Sequence, residues 1–246
     1  MKIWQESMDG QTKKSKISSN SKPKVVCTFC GVSFSKETTL LAHNCEPKRR
    51  HQQKDEIGVR FGFRCFQKFY NLLRPTDADK SYEEFSTSPY YLAFVKFGRY
   101  LVDIRAVAPE SYCDWLLKNN KKLDQWTKDS FYDEYLIDYI RKESVTDALE
   151  RSIETMTIWA EENSARYQDY FKYGTQSRIC FDIQRGRISP WVIYGSTTGN
   201  DFLANIDDKS LQTIWQFVDS DYWNQNLSKR DIDFKWAQKI LTQAGI

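Results

Sequence analysis

The sequence predicts a mainly α-helical protein in which a short cysteine- and histidine-containing module precedes a multi-helix domain with a small β-hairpin. Three observations carry this prediction. Residues 24–51 hold cysteine and histidine at the spacing of a metal site, residues 57–173 repeat apolar side chains at helical intervals, and two apolar runs flank Arg185-Gly186. The 246 residues are enough for one small module and one medium-sized domain.

Charge is distributed unevenly along the chain. Residues 1–71 carry 14 Lys and Arg against 6 Asp and Glu, whereas residues 72–246 carry 22 against 27. A basic region of this kind favours a polyanionic partner such as nucleic acid. Residues 1–23 are rich in Lys, Ser, Asn and Gln and have little to bury, so we expect a disordered basic leader there.

Neither a membrane span nor a secretory signal is visible in the sequence. No run of 18 or more apolar residues occurs, and the first residues lack the apolar centre of a signal peptide. We therefore expect an intracellular protein, in the cytoplasm or the nucleus, with no membrane partner. Its six cysteines are then expected to be thiols or metal ligands rather than disulfides.

The spacing of three residues in the N-terminal module predicts a metal site. Cys27 and Cys30 place two thiolates on one tight turn, and His43 follows Cys30 by thirteen positions. Two thiolates and an imidazole from the next element are ligands that tetrahedral zinc prefers. So short a segment buries too little apolar surface to fold without a cross-link such as a bound metal ion. We therefore expect a structural ion rather than a catalytic one.

Residues 25–43 resemble the zinc-finger family in which two cysteines and two histidines hold the ion. The family's apolar, cysteine, phenylalanine, leucine and first histidine positions are all matched, by Val25, Cys27, Cys30, Phe34, Leu40 and His43. The resemblance covers under a tenth of the chain. It implies a ββα zinc finger over residues 24–51, with Zn²⁺ as the ion and a helix from about Lys36 to about His43.

The fourth ligand is open between two residues, because positions 47 to 49 lack the second histidine of the family. Cys45 is close to His43, but residues two apart on one helix point in different directions, so the helix would have to unwind after His43. The alternative ligand, His51, is within reach if the chain leaves the helix at Pro47. We favour Cys45, because a thiolate is a strong zinc ligand and Pro47 favours unwinding.

The finger and its flanks are predicted to bind nucleic acid. The resemblance places base-facing side chains on the finger's helix. Among them, only Lys36 is of a residue type that makes a strong contact with a base edge, namely that of guanine. One finger reads about three base pairs, so we expect phosphate contacts with little sequence preference. The residues predicted to contact nucleic acid here are Lys24, Lys36, Thr39, Lys48, Arg49 and Arg50. The alternative is a finger that docks on a protein through Leu41 and Ala42.

Residues 52–246 are predicted to form the helical domain. Pro75 ends a first helix, and Ser81 with Glu84 fits a capping box in front of a helix at 82–87. Pro109 suits the first turn of a further helix. Aromatic residues from Tyr90 to Tyr100 are expected in the core. Two closing helices are predicted around 208–219 and 229–244.

A β-hairpin is predicted near residues 178–194. Two apolar runs surround Arg185-Gly186, and Pro190 confines one strand to the edge. Arg178, Arg185 and Arg187 lie beside aromatic residues there, a combination that suits single-stranded nucleic acid. The loop at 195–199 is a candidate phosphate cradle, although a plain turn is the stronger interpretation.

Catalysis is left open by the sequence, with a non-catalytic role favoured. Both histidines lie in or beside the finger, so the larger domain lacks the commonest general base, and no familiar catalytic motif occurs. A nuclease-like enzyme that binds magnesium through carboxylates is the alternative. Its candidate ligands are Asp182, Asp201, Asp207 and Asp208.

These observations together predict a zinc-finger accessory protein that binds nucleic acid, with DNA favoured over RNA, and that carries no catalytic site. The helical domain is expected to bind a protein partner or a second stretch of nucleic acid. The alternatives are the carboxylate-dependent DNA-processing enzyme and a purely protein-binding adaptor.

Overall fold

The computed structural model describes residues 25–75 and 78–246. The chain divides into two compact units, Met1–Lys54 and Asp55–Ile246. The predicted disordered leader at 1–23 and the predicted nucleic-acid contact Lys24 lie outside the described residues. Most of the described residues are helical, which confirms the predicted mainly α-helical class.

The first unit contains a hairpin followed by two short helices. Strand β1 (Val25–Val26) pairs antiparallel with β2 (Ser33–Phe34), and helices α1 (Glu37–Ala42) and α2 (Glu46–Gln52) follow. This order of two strands and a helix is the one that the resemblance to zinc fingers implies. Within the pairing, Val25 lies opposite Phe34, so these two apolar side chains share one face of the hairpin.

The second unit is built from helices, and several helices that follow one another in the chain also pack together. Their bounds in chain order are α3 (Ile57–Leu73), α4 (Tyr82–Thr87), α5 (Tyr91–Asp103), α6 (Pro109–Lys118), α7 (Asp129–Lys142), α8 (Val145–Asn163), α9 (Tyr170–Tyr173), α10 (Gln176–Gln184), α11 (Pro190–Gly195), α12 (Thr197–Asn205), α13 (Asp208–Val218), α14 (Ser220–Lys229) and α15 (Asp231–Ala244). In the described part of the chain, no helix combines the length and the apolar character needed to cross a bilayer.

Local capping signals explain several helix starts. At α4, Ser81 Oγ accepts a hydrogen bond from the Glu84 N–H, and the Glu84 carboxylate accepts one from the Ser81 N–H. This is the capping box that the sequence predicts, and the helix has the predicted bounds. Pro109 occupies the first position of α6, where its missing N–H has no helical partner to lose.

The predicted β-hairpin at 178–194 is wrong, because these residues form α10 and α11. Gly186 ends α10 in the left-handed conformation (φ +68°), and the N–H groups of Gly186 and Arg187 donate to the carbonyls of Ile183 and Asp182. This pattern is a Schellman cap. Ser189 then caps α11, with Pro190 at its first position. The predicted hairpin turn is therefore the end of α10, and the predicted edge-strand proline is the first residue of α11.

The predicted loop at 195–199 is corrected in the same way. Ser196 caps α12 by accepting from the Gly199 N–H at 3.1 Å, and Gly199 is a helical residue. The segment is therefore the start of a helix rather than a plain turn.

Aromatic side chains dominate the core of the second unit. Phe94 and Phe97 on α5 are fully buried, and both contact the ring of Trp126, with centroids 5.7 Å and 5.0 Å away. Tyr91 is buried as well, which confirms the core interpretation of this segment, whereas Tyr90 is 49% exposed. Edge-to-face and tilted contacts of this kind add to the energy of apolar burial.

The closest helix pair, α3 and α5, depends on glycines. A Cβ atom on Gly98 would overlap the carbonyl oxygen of Gly58 and lie 2.5 Å from the Gly62 nitrogen. A Cβ atom on Gly62 would lie 2.5 Å from the Phe94 carbonyl oxygen. Because the obstructing atoms belong to backbone, no side-chain rotation can relieve the overlap.

Replacing Gly98 by Ala is therefore expected to lower the free energy of unfolding by about 3 kcal/mol or more, at the upper end of overpacking costs. Gly195→Ala is a matched control, because its new Cβ would meet the flexible end of Leu241 instead of backbone. Chemical denaturation monitored by tryptophan fluorescence measures both. Equal stability of the two variants would contradict the proposed backbone contact.

Candidate metal centre

Four potential metal ligands converge in the first unit. The ligand atoms of Cys27, Cys30, His43 and Cys45 all lie within 4.8 Å of one another. The Sγ atoms of Cys27 and Cys45 are 3.9 Å apart, and Cys30 Sγ lies 3.2 Å from His43 Nε2. Tetrahedral zinc with ordinary bond lengths separates two sulfurs by about 3.8 Å and a sulfur from a nitrogen by about 3.5 Å. The cluster therefore fits a tetrahedral metal ion.

A glycine turn shapes the end of the cluster that holds Cys27 and Cys30. Gly31 adopts the left-handed conformation (φ +73°), and its N–H donates to the Cys27 carbonyl at 2.8 Å. The Cys27 N–H in turn donates to the Val32 carbonyl at 2.9 Å. These bonds fold residues 27–31 back on themselves, so both sulfurs point to one place. Gly31 is not among the site residues predicted from the sequence, although a glycine just after the second cysteine is a turn signal.

Extended backbone after α1 brings His43 and Cys45 to the cluster. The helix ends at Ala42, and both His43 (ψ 119°) and Cys45 (ψ 160°) are extended. The unwinding that a Cys45 ligand requires is therefore present. Lys48 on α2 stabilises this bend, because its Nζ donates to the His43 carbonyl at 3.0 Å.

The structure places His51 outside the group of ligand atoms. His51 lies on α2, and its ring packs against Phe29 with centroids 5.1 Å apart. His43 makes the corresponding contact inside the cluster, with the Phe34 ring 4.7 Å away. Of the two candidates for the fourth ligand, Cys45 is thus the one brought to the cluster.

Apolar burial is small in the described part of the first unit, residues 25–54. Among residues 25–54, Cys27 alone is buried, at 3% exposure. The expected core residues Val25, Phe34 and Leu40 are only half-buried. Side chains that would normally contribute a core are instead exposed, namely Val26, Phe29, Val32 and Leu41. Such a segment gains too little from burial to fold by packing alone.

The local backbone also favours thiolate at Cys27. Desolvation raises the pKa of this thiol, but hydrogen bonds from the N–H groups of Cys30 and Phe29 act in the opposite direction, and the net pKa lies below its ordinary value. A thiol that ionises readily is a better metal ligand, since the metal binds the thiolate.

The residues of the finger predicted to bind nucleic acid differ in their exposure to solvent. Lys36, Thr39 and Arg49 are exposed, whereas Lys48 and Arg50 are half-buried. Lys48 contacts the His43 carbonyl, and Arg50 pairs with Glu46 one helical turn away.

The three arginines predicted on the hairpin lie on or just after α10, where they share partners. Arg178 and Arg187 both bind the buried carboxylate of Asp182, through Nε at 2.6 Å and Nη1 at 3.2 Å. Arg185 lies over the exposed ring of Phe181, 5.8 Å from its centroid, and Arg187 lies 5.3 Å from the same centroid. Of the aromatic residues expected beside them, Trp191 is fully buried and Tyr194 is half-buried.

The candidate magnesium ligands do not converge. Asp182 is fully buried and accepts hydrogen bonds from two arginines and from the Tyr170 hydroxyl. Asp207 caps α13 by accepting from the Ser210 N–H. Across residues 25–75 and 78–246, the cysteine and histidine cluster is the one group with three or more ligand atoms at metal-binding distance.

Comparisons with protein-family models, curated proteins and solved structures find no match to this chain.

Replacing Cys45 by Ala is expected to weaken metal binding at least about 100-fold, more than the loss of a residue that only positions a ligand. His51→Ala is expected to leave metal affinity unchanged, and Cys180→Ala controls for removal of a cysteine outside the cluster. Elemental analysis and competition with a chelator measure the effect. Retention of metal by Cys45→Ala together with its loss from His51→Ala would identify His51 as the fourth ligand.

Proposed function

We propose that the first unit is a zinc finger that binds nucleic acid with little sequence preference, in a non-catalytic accessory protein. The observation that carries the proposal is the convergence of three sulfurs and one imidazole nitrogen beside exposed basic side chains. Zinc suits this donor set, because thiolate and imidazole ligands in tetrahedral geometry are typical of structural zinc. Four protein ligands leave no open position for a reactive water, which supports a structural ion.

The exposed basic side chains of the finger supply the proposed phosphate contacts. Lys36 precedes α1 and Arg49 lies on α2, and neither side chain forms an ion pair within the described residues. Phosphate contacts by such residues release counterions, so they give an affinity that depends on salt and not on sequence. DNA is the favoured nucleic acid in this proposal.

Little sequence preference follows from the side chains that α1 offers. The helix reads Glu37–Ala42 with the residues ETTLLA, and it contains no Arg, Asn or Gln. These three residue types make most of the strong bidentate contacts with base edges. Thr39 can donate to several bases, so it discriminates weakly.

A protein-docking finger is the second candidate, and one observation favours it. Leu41 on α1 is 72% exposed, and Ala42 beside it is exposed as well. Apolar side chains in such positions suit an apolar partner surface. A carboxylate-dependent enzyme has less support, because Asp182 is already bound by Arg178 and Arg187.

The salt dependence of nucleic-acid binding tests the proposal. The affinity of the full chain for random-sequence duplex DNA should fall linearly on a log–log plot against salt concentration. Lys36→Gln and Arg49→Gln should each reduce the slope by about 1, whereas Lys239→Gln, an exposed lysine in the second unit, should leave it unchanged.

Fluorescence anisotropy measures these slopes, and Leu41→Ser separates the two candidates. The nucleic-acid proposal expects this variant to bind DNA like the unmodified protein. Absence of DNA binding at low salt, or slopes that neither Lys36→Gln nor Arg49→Gln changes, would exclude direct phosphate contacts by the finger.

A further inference from the structure

Four arginines from different parts of the second unit line one cavity of about 270 Å³. Arg105 follows α5, Arg151 lies on α8, Arg178 on α10, and Arg187 in the turn between α10 and α11. The other lining residues are Ala106, Val107, Ala108, Glu154, Thr155 and Ile158. A concave site with several converging cationic groups is suited to an anion.

Buried carboxylates that do not line the cavity hold three of these arginines in place. Asp182, which is fully buried, binds Arg178 and Arg187. Glu143, which is 4% exposed, accepts from Arg151 Nη2 at 2.6 Å and from the Ser189 hydroxyl at 2.7 Å. Buried ion pairs of this geometry fix the guanidinium groups, so a ligand would meet donors that are already oriented.

Donor capacity remains on these side chains. A guanidinium has five N–H groups. Arg187 Nε is buried and has no hydrogen-bond partner in the described part of the chain. Arg105 is exposed, and within residues 25–75 and 78–246 its guanidinium forms no hydrogen bond or ion pair. An unused buried N–H is costly, so a bound acceptor would remove a penalty that the protein otherwise bears.

The loop that carries Arg105 is held in an unfavourable backbone conformation. Arg105 (φ 49°) and Ala108 (φ 44°) are both left-handed, a region that non-glycine residues rarely occupy. Two buried tyrosines bind the backbone of this loop. The Val107 N–H donates to Tyr132 Oη at 2.8 Å, and Tyr135 Oη donates to the Val107 carbonyl at 3.1 Å. Strain maintained by surrounding contacts is characteristic of functional sites.

We propose that this cavity binds a phosphomonoester group. Arginines that approach from four positions match the several oxygens of a tetrahedral phosphate, whereas a planar carboxylate can use only one or two of them. The cavity is smaller than sites for drug-sized ligands, so it suits the phosphate and its immediate attachment. Glu154, an exposed acidic residue at the lining, disfavours ligands with several adjacent phosphates.

A phosphomonoester can belong to a free small molecule or to the 5′ end of a nucleic acid, and the two sources share the same chemistry. Every lining residue lies in the second unit, so the site is independent of the function proposed for the finger.

Isothermal titration of the full chain tests the site with inorganic phosphate, adenosine monophosphate and adenosine. We expect saturable binding of phosphate and of the monophosphate, and no binding of adenosine at the same concentrations. Arg105→Gln should weaken monophosphate binding about tenfold or more, since it removes a charge-assisted donor that has no structural contact to lose. Arg60→Gln, an exposed arginine on α3, is the matched control and should bind normally.

A pair of oligonucleotides with and without a 5′-phosphate identifies the source. Tighter binding of the 5′-phosphorylated strand, lost in Arg105→Gln, assigns the site to nucleic-acid ends. Equal binding of both strands, together with monophosphate binding, assigns it to free phosphate esters. Either result supports the site. Failure of phosphate and monophosphate to bind, equal affinity for acetate, or unchanged monophosphate affinity in Arg105→Gln would overturn the proposal.

Discussion

The first unit depends on the meeting of three sulfurs and one imidazole nitrogen, because its apolar side chains pack against little else. Cys27 is the one buried residue among positions 25–54, and it belongs to the cluster itself. Four donor atoms held this close repel one another once the thiols ionise, unless a cation lies between them. An ion at this point would therefore couple metal binding to folding, and the positions of the exposed basic residues would depend on that ion.

In the second unit, buried carboxylates rather than a proposed metal ion hold charged side chains in place. Asp182 has no exposure, so it requires the two arginines and the tyrosine that bind it. Burial raises the pKa of Glu143 even though Arg151 and Ser189 bind it. These carboxylates bind arginines that line a cavity.

Features set by short stretches of sequence were predictable. The spacing of Cys27, Cys30 and His43 identified three cluster members, and the capping box at Ser81 gave the bounds of α4. The prediction of a hairpin at 178–194 is wrong because the residues that indicate a hairpin there also occur at the ends of helices. A glycine after β-branched residues ends a helix as well as it turns a hairpin, and Ser-Pro starts a helix as well as it interrupts a strand. Which meaning applies is decided by packing: Ile183 and Trp191, which flank the Gly186 turn, are both fully buried, as parts of helices.

Features that join distant residues were beyond prediction for a physical reason. The contact of Gly98 with Gly58 requires knowing that α3 and α5 pack together, and periodicity identifies an apolar face without naming its partner. The arginine cavity is a stronger case, because Arg105 reaches it only through a left-handed loop, and no residue near Arg105 signals that conformation. The loop keeps its shape through the hydroxyl groups of Tyr132 and Tyr135, which lie on α7. A tyrosine at an apolar position of a helix is predicted to be buried. Which group its hydroxyl binds depends on how the helices pack together, and the sequence pattern does not show that. The hydroxyl groups of these buried tyrosines thus position the loop that carries Arg105, and the local sequence does not predict the conformation of that loop.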